Sequence, residues 1–274
     1  NIGVALGFVD NRINVEFDWY RRNNFDLIGY TQTMGVGGVT TKLANDATME
    51  STGCEFTIST TNIKTKDFKW TTDWIFGWAE NTITKLDSRS QVYSLVNGVG
   101  RTEGRPIGAL YSIPFAGLTE EGLPTFFIDA EHTQVVGPGN YAAIYFQEYE
   151  NIDYLKYEGT IDPKITGSFG NTFSWKGLKL NVFFTYSFGN VLRLDNLCPV
   201  YSSDYSDLTA SMKEMKNRWM VPGDENVTTI PSIPTVRQMR EIDALSNAYS
   251  AYNYSTERVA KGDFIRLKEL SLAY

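Results

Sequence analysis

The chain has 274 residues, enough for one large domain or two ordinary ones, and its 42% apolar content can fill a core, which excludes wholesale disorder. A net charge of −7 excludes nucleic acid as a main partner, because phosphate backbones demand a basic face. No run reaches the roughly 18 apolar residues of a membrane helix, yet strands that alternate apolar and polar residues cross membranes without one.

Asn1-Ile2-Gly3-Val4 has neither a basic n-region nor an apolar h-region, so no signal peptide is legible. Period two starts at once. Ile2, Val4, Leu6 and Phe8 alternate with Gly3, Ala5 and Gly7. After a turn at Asp10-Asn11, Ile13, Val15, Phe17 and Trp19 alternate with Asn14, Glu16 and Asp18. This predicts a hairpin over about 2–21 with one apolar face. A long loop is expected over about 22–50.

The second hairpin is predicted over about 51–81. Cys54, Phe56 and Ile58 alternate with Glu55, Thr57 and Ser59. After a connection at 63–67, Phe68, Trp70, Thr72, Trp74, Phe76 and Trp78 alternate with Lys69, Thr71, Asp73, Ile75 and Gly77. Burying Lys and Asp in a small core costs several kcal/mol each. Leaving three Trp and two Phe in water makes an equally odd surface. Lipid outside and water inside resolves both. The competing reading is a soluble sandwich that buries the Trp70, Trp74 and Trp78 face between sheets.

A third hairpin is predicted over about 164–189, turning at Lys176-Gly177, and a seventh strand over about 263–274. Short turns then alternate with long connections at about 22–50, 83–163 and 190–262, the pattern of outer-membrane barrels. Residues 107–115 and 124–128 can add a hairpin within the second long connection. Seven strands fall short of the smallest such barrel, which has at least eight. The expected fold is therefore all-β: a transmembrane antiparallel β-barrel segment with long extracellular loops, occupying 1–274.

The loops hold little catalytic chemistry. His132 stands beside Glu131 and Gln134 with no triad or zinc spacing. Glu120-Glu121 and Asp204 with Asp207 invite a glycosidase reading, but solvated loop acids explain them as well. Cys54 and Cys198 have no spacing signature for a disulfide. Gly35-Val36-Gly37-Gly38 lacks the Lys-Ser/Thr of a phosphate loop. Leu208, Met212, Met215 and Trp219 recur at helical spacing, and Val236, Met239 and Ile242 mark a second short helix. No catalytic, metal-binding or cofactor-binding residue is expected. Loop tyrosines are the candidates for contact with a ligand or a covering protein: Tyr141, Tyr145, Tyr149, Tyr201, Tyr205 and Tyr252. Packing among the loops explains them equally.

Longer motifs carry a resemblance. Glu103-Gly104-Arg105-Pro106-Ile107-Gly108, Tyr111 and Phe115-Ala116-Gly117-Leu118 stand in one stretch, followed by Pro163 to Phe173 with Trp175 to Leu178. Phe183 to Gly189 follows, then Arg218-Trp219 with Pro222-Gly223-Asp224, and Gly262-Asp263-Phe264-Ile265-Arg266-Leu267-Lys268 before Leu270-Ser271-Leu272-Ala273-Tyr274. In this order they resemble the SusC/RagA-type TonB-dependent outer-membrane transporters. Gly53-Cys54-Glu55 departs from the family's usual Gly-Val-Glu.

The resemblance implies part of a roughly 22-stranded plugged barrel in a Gram-negative outer membrane. It reads the chain as an internal part of the C-terminal half, without the plug. It also implies a SusD-like surface lipoprotein as lid, energy from the TonB complex through an N-terminal part, and import of oligosaccharides or peptides without any bond being made or broken. The alternatives are a passive outer-membrane barrel, a surface adhesin or a soluble β carbohydrate-binding domain.

Overall fold

Seven strands build one antiparallel sheet in the computed structural model, which describes residues 1–32, 34–38, 41–197 and 213–274. In chain order the strands begin with β1 (Ile2–Phe8), β2 (Ile13–Gln32), β3 (Thr41–Lys64) and β4 (Phe68–Leu86). Five short strands follow: β5 (Ala109–Ser112), β6 (Phe115–Leu118), β7 (Pro124–Phe127), β8 (Val135–Val136) and β9 (Lys156–Thr160). Then come β10 (Ile165–Trp175), β11 (Leu178–Phe188), β12 (Val191–Arg193), β13 (Val259–Lys261) and β14 (Phe264–Ala273). The large sheet runs β1-β2-β3-β4-β10-β11-β14. It is an up-and-down meander whose two edge strands do not meet among the described residues.

Register places the alternation on common rows. Trp19 faces Cys54, then Trp78, Ile165 and Phe188. Below it, Val15, Ile58, Trp74, Phe169, Phe184 and Leu267 form another row. The opposite face carries Asp18, Glu55, Gly77, Thr166 and Ser187 in one row and Glu16, Thr57, Ile75, Ser168, Thr185 and Arg266 in the next. The apolar belt spans Phe68 to Trp78 on β4. Ten residue steps at about 3.3 Å make about 33 Å of strand, or about 25 Å of height at a tilt near 40°.

Polar groups inside the belt are paired within it. The Trp70 indole N–H and the Thr72 hydroxyl both donate to Asn171 Oδ1, at 2.9 and 2.7 Å. The Tyr186 ring lies over Gly167, its hydroxyl accepting from Trp74 Nε1 and donating to the Ile75 carbonyl, both at 2.9 Å. An aromatic side chain folded over a glycine covers backbone that has no side chain of its own.

The expected loop over 22–50 is mostly strand. β2 and β3 continue as a paired ribbon, leaving 33–40 as the connection. A bulge explains why the pattern hid it. Register shifts between Asn24 and Leu27, and Asp26 takes φ 55°, so the alternation changes phase there. β4 likewise runs to Leu86, past its expected end. The three tight turns fall where expected, with Lys176 and Gly177 at φ 46° and 94° as a two-residue hairpin loop requires.

The segments between β4 and β10 and between β11 and β14 form a cap. It contains α1 (Val92–Val96), α2 (Val236–Glu241) and α3 (Leu245–Asn253). Its core is continuous through Leu95, Ile113, Phe126, Tyr141, Tyr249 and Tyr252. The helix expected around Val236 is α2, started by a capping box between Thr235 and Gln238. Of the other helical pattern, Leu208 and Met212 lie outside the described residues, while Met215 is buried in a short 3₁₀ turn at Lys213–Asn217. The hairpin expected across 107–128 divides: β6 pairs with β7, but β5 pairs with β9.

Candidate functional site

Each motif segment performs a local structural task. Gly104 and Gly108 both take φ 76°, a conformation that favours glycine. The loop they shape docks on upper β4: Gly104 N–H donates to the Ile83 carbonyl at 2.8 Å, and Ile83 N–H to the Arg105 carbonyl at 2.9 Å. Ile107 N–H donates to Asn81 Oδ1 at 2.7 Å, while the Pro106 carbonyl accepts from Ala109 N–H at 3.2 Å. Arg105 lies 4.3 Å over the Tyr157 ring, whose other neighbour is Tyr111 at 5.5 Å. Gly117 sits at the register shift between β6 and β7.

Pro163 precedes β10, and Phe173 stacks on Trp70 at 5.6 Å. Gly189 N–H donates to Asp263 Oδ1 at 2.7 Å, closing the neck between sheet and cap. On β14, Phe264 and Arg266 share the polar face, with the guanidinium 4.9 Å over the ring, and Leu267 joins the belt. Lys268 sits at the register shift of that pair.

Trp219 and Pro222-Gly223-Asp224 make a compact knot. The indole N–H donates to Glu225 Oε2 at 3.0 Å. Asp224 Oδ2 accepts from Met220 and Val221 N–H at 2.9 and 3.0 Å. The Trp219 ring occupies the space that a Cβ at Gly122 would take, and Gly122 has φ 74°. Gly122→Val is expected to cost about 3 kcal/mol, through strain at positive φ and displacement of the ring. Trp219 fluorescence and protease cleavage of the knot measure it.

The tyrosine candidates divide. Tyr141 and Tyr252 are core residues, 0% and 1% exposed, and so cannot touch a ligand or covering protein. Tyr141 donates its hydroxyl to the Pro124 carbonyl at 2.8 Å, and burial pushes its pKa up. Tyr145 and Tyr149 are exposed, at 55% and 39%. Tyr201 and Tyr205 lie outside the described residues, as do Cys198, Asp204 and Asp207. Cys54 is a half-buried free thiol. His132 stacks on Phe127 at 5.0 Å. Among the described residues, no three His, Cys, Asp or Glu gather to hold a metal.

Among the described residues, grooves open on the cap, and two of them are well formed. One, of about 700 Å³, is lined by Gln91, Tyr93, Phe146, Gln147, Asn247 and Tyr254 among others. Tyr254 meets Tyr93 and Phe146 edge-on at 6.2 and 5.9 Å. Amides and aromatic edges without a charged group suit a neutral polar molecule. The other, of about 750 Å³, lies beside Tyr149 between the β2–β3 ribbon and the loop before α1. At its wall, buried Asp46 accepts from Ser88 Oγ at 3.0 Å and pairs with Arg101 at 3.5 Å. Sequence reasoning missed Tyr93, Gln147 and Asn247, because amides drawn from distant segments carry no periodicity.

The polar face of the sheet is the second element. Asp18 and Glu55 stand directly opposite each other, with Glu16 two residues along β2. Ser59 donates to Asp73 Oδ1 at 2.7 Å. Like charges cross-strand are tolerated where water screens them.

No protein-family model matches the chain. Over 296 residues the whole chain is 27% identical to the TonB-dependent receptor P3 of Formosa agariphila, covering 26% of it. It is 25% identical to the TonB-dependent receptor P39 of the same organism, again over all of this chain and 28% of that one. A stretch of 87 residues, 31% of this chain and 9% of the other, is 34% identical to the TonB-dependent receptor SusC of Bacteroides thetaiotaomicron. The chain thus spans about a quarter of the length of the curated relatives that it matches end to end. Among solved structures, the RagAB peptide transporter superposes with a TM-score of 0.66 at 23% identity, over 98% of this chain and 28% of that one. The open-open state of the RagAB peptide importer gives 0.68 at 22% identity, over 98% and 27%.

Proposed function

From a chain that is SusC/RagA-like in sequence and in fold, we propose one wall and part of the extracellular cap of a TonB-dependent importer in the outer membrane of a Gram-negative bacterium. The carrying observation is the match of the whole chain to TonB-dependent receptors. The one-sided belt, about 25 Å high, supports it, since that is the height of the apolar band of outer-membrane barrels. In this reading the belt faces lipid, and the opposite face, which carries Glu16, Asp18, Glu55 and Asp73, faces an aqueous lumen. The partial barrel domain covers 1–274, with its cap outside the cell.

The cargo is an oligosaccharide or a peptide. The neutral groove at Tyr93, Gln147 and Asn247 suits either, because hydroxyls and backbone amides both pair with side-chain amides. A SusD-like lipoprotein closes over the cap, and the exposed Tyr145 and Tyr149 are candidates for that contact. The TonB complex supplies force through the part of the protein that precedes this segment. The barrel provides a gated path, and no covalent step is required.

Energy coupling is the discriminating test. Cells carrying the full-length protein are offered a labelled oligosaccharide pool and, in parallel, a labelled peptide digest. Accumulation of one pool is expected to stop when the proton-motive force is collapsed. Accumulation that continues unchanged would identify a passive barrel instead.

A further inference from the structure

We infer that the outer face just above the apolar belt holds the sugar headgroup of an outer-leaflet glycolipid. The inference rests on the membrane reading above. The belt ends at the row of Trp19, Cys54 and Trp78. The next row on the same face is Arg21, Thr52 and Glu80, and above it stand Asn23, Glu50 and Thr82. Trp78, Glu50, Glu80 and three threonines (Thr52, Thr82 and Thr84) line one shallow pocket of about 430 Å³.

The chemistry of this patch is specific. Glu50 is paired with Arg21 at 2.6 Å and Glu80 with Lys164 at 2.5 Å, so these four groups carry no net charge. Their side chains remain between 32% and 58% exposed. Each pair offers a carboxylate acceptor beside a cationic donor, Thr52 and Thr82 offer hydroxyls that do both, and Thr84, whose hydroxyl donates to the Thr48 carbonyl at 3.2 Å, still accepts. A sugar hydroxyl also both donates and accepts, so it fits between such groups. A bare phosphate needs uncompensated positive charge, which the pairing removes. Trp78 supplies the flat ring at the boundary between apolar belt and polar rows, where indoles settle at a headgroup.

Position selects a lipid-borne sugar over a free one. The patch lies on the face of the belt, and the polar face of the sheet is on the other side. Acyl chains lying along Trp74 and Phe76 bring their headgroup to this row. A nutrient passing through the lumen does not.

The test uses the full-length protein in nanodiscs of phosphatidylethanolamine containing either lipid A stripped of its phosphates or phosphatidylglycerol, with bound lipid counted by native mass spectrometry. Wild type is expected to retain lipid A over phosphatidylglycerol. The double variant Glu50→Gln, Glu80→Gln replaces each carboxylate by an amide, a weaker acceptor, and frees both cations. It should lose lipid A by about five-fold and gain phosphatidylglycerol, since two exposed hydrogen bonds at the low end of their range are together worth roughly that factor. Trp78→Leu keeps the belt apolar and should lower lipid A alone.

Unchanged or increased lipid A in the double variant would overturn the proposal. So would equal binding of the deacylated headgroup, which would make the patch a site for soluble glycans. A protein that stays monodisperse without detergent would instead overturn the membrane reading itself, and the two failures are distinguishable.

Discussion

Phe169→Arg is expected to abolish assembly of the full-length protein into membranes, whereas Thr166→Arg on the same strand is tolerated. Phe169 sits in the middle of the belt, between Trp74 on β4 and Phe184 on β11, and is 41% exposed. Thr166 is on the other face, between Gly77 and Ser187. In lipid, an arginine at mid-belt costs about 2–4 kcal/mol, which is roughly 30- to 1,000-fold in the folded population. On the polar face the same side chain reaches water. Urea titration of the two variants in lipid vesicles measures the difference, and heat-modifiable migration reports assembly in cells. Equal stability of the two would sink the membrane reading. A soluble sandwich predicts that Phe169→Arg fails in plain buffer as well, and that wild type needs no lipid.

The sheet was legible because its two faces meet opposite solvents. Where Phe17, Phe56 and Phe76 share one face and Asp18, Glu55 and Gly77 the other, side-chain choice alternates strictly, and a reader sees period two. Above Trp78 both faces are polar or covered by loops, so the selection for alternation stops. The ribbon of β2 and β3 continues as a paired ladder, with Arg21 and Glu50 bridging it, and a bulge shifts its phase. That is why its upper half read as loop.

The cap was illegible for a different reason. Its strands are two to five residues long, too short for any period to register. Its core uses tyrosines, which in a loop read as ligand contacts. Burial of Tyr249 is compatible with its hydroxyl because that group donates to the Ser232 carbonyl at 2.7 Å. The neutral groove joins residues near 91, 146 and 250, contacts that no local window contains. The motifs placed the turns more reliably than the tyrosines placed a site. A glycine at positive φ or an aspartate accepting two backbone N–H groups is determined within a few residues of chain.

Arg193→Ala is expected to loosen the cap while leaving the sheet intact. Arg193 ends β12, in the neck between β11 and the cap. Its guanidinium forks to four acceptors: Nη1 donates to Ser112 Oγ at 3.1 Å and the Ser255 carbonyl at 2.9 Å. Nη2 donates to the Val96 carbonyl at 3.1 Å and the Tyr111 carbonyl at 2.6 Å. One side chain therefore ties α1, β5 and the segment after α3 to the neck. Burial lowers its pKa to about 10, still far enough above neutrality that the fork stays charged at pH 7. Alanine leaves four acceptors facing a gap. Water enters part of it, so the net cost is about 3 kcal/mol, at the lower end of the range for breaking a buried charged network. Amide exchange in α1 and α3 should then accelerate about 100-fold, with β10 and β11 unchanged. Arg193→Lys should recover little, because donors radiating from one nitrogen cannot reach both pairs of acceptors as a planar fork does. Unchanged exchange in α1 and α3 would mean that the cap core alone holds the neck, and that the four hydrogen bonds add nothing the packing of Leu95, Ile113 and Tyr252 does not already supply.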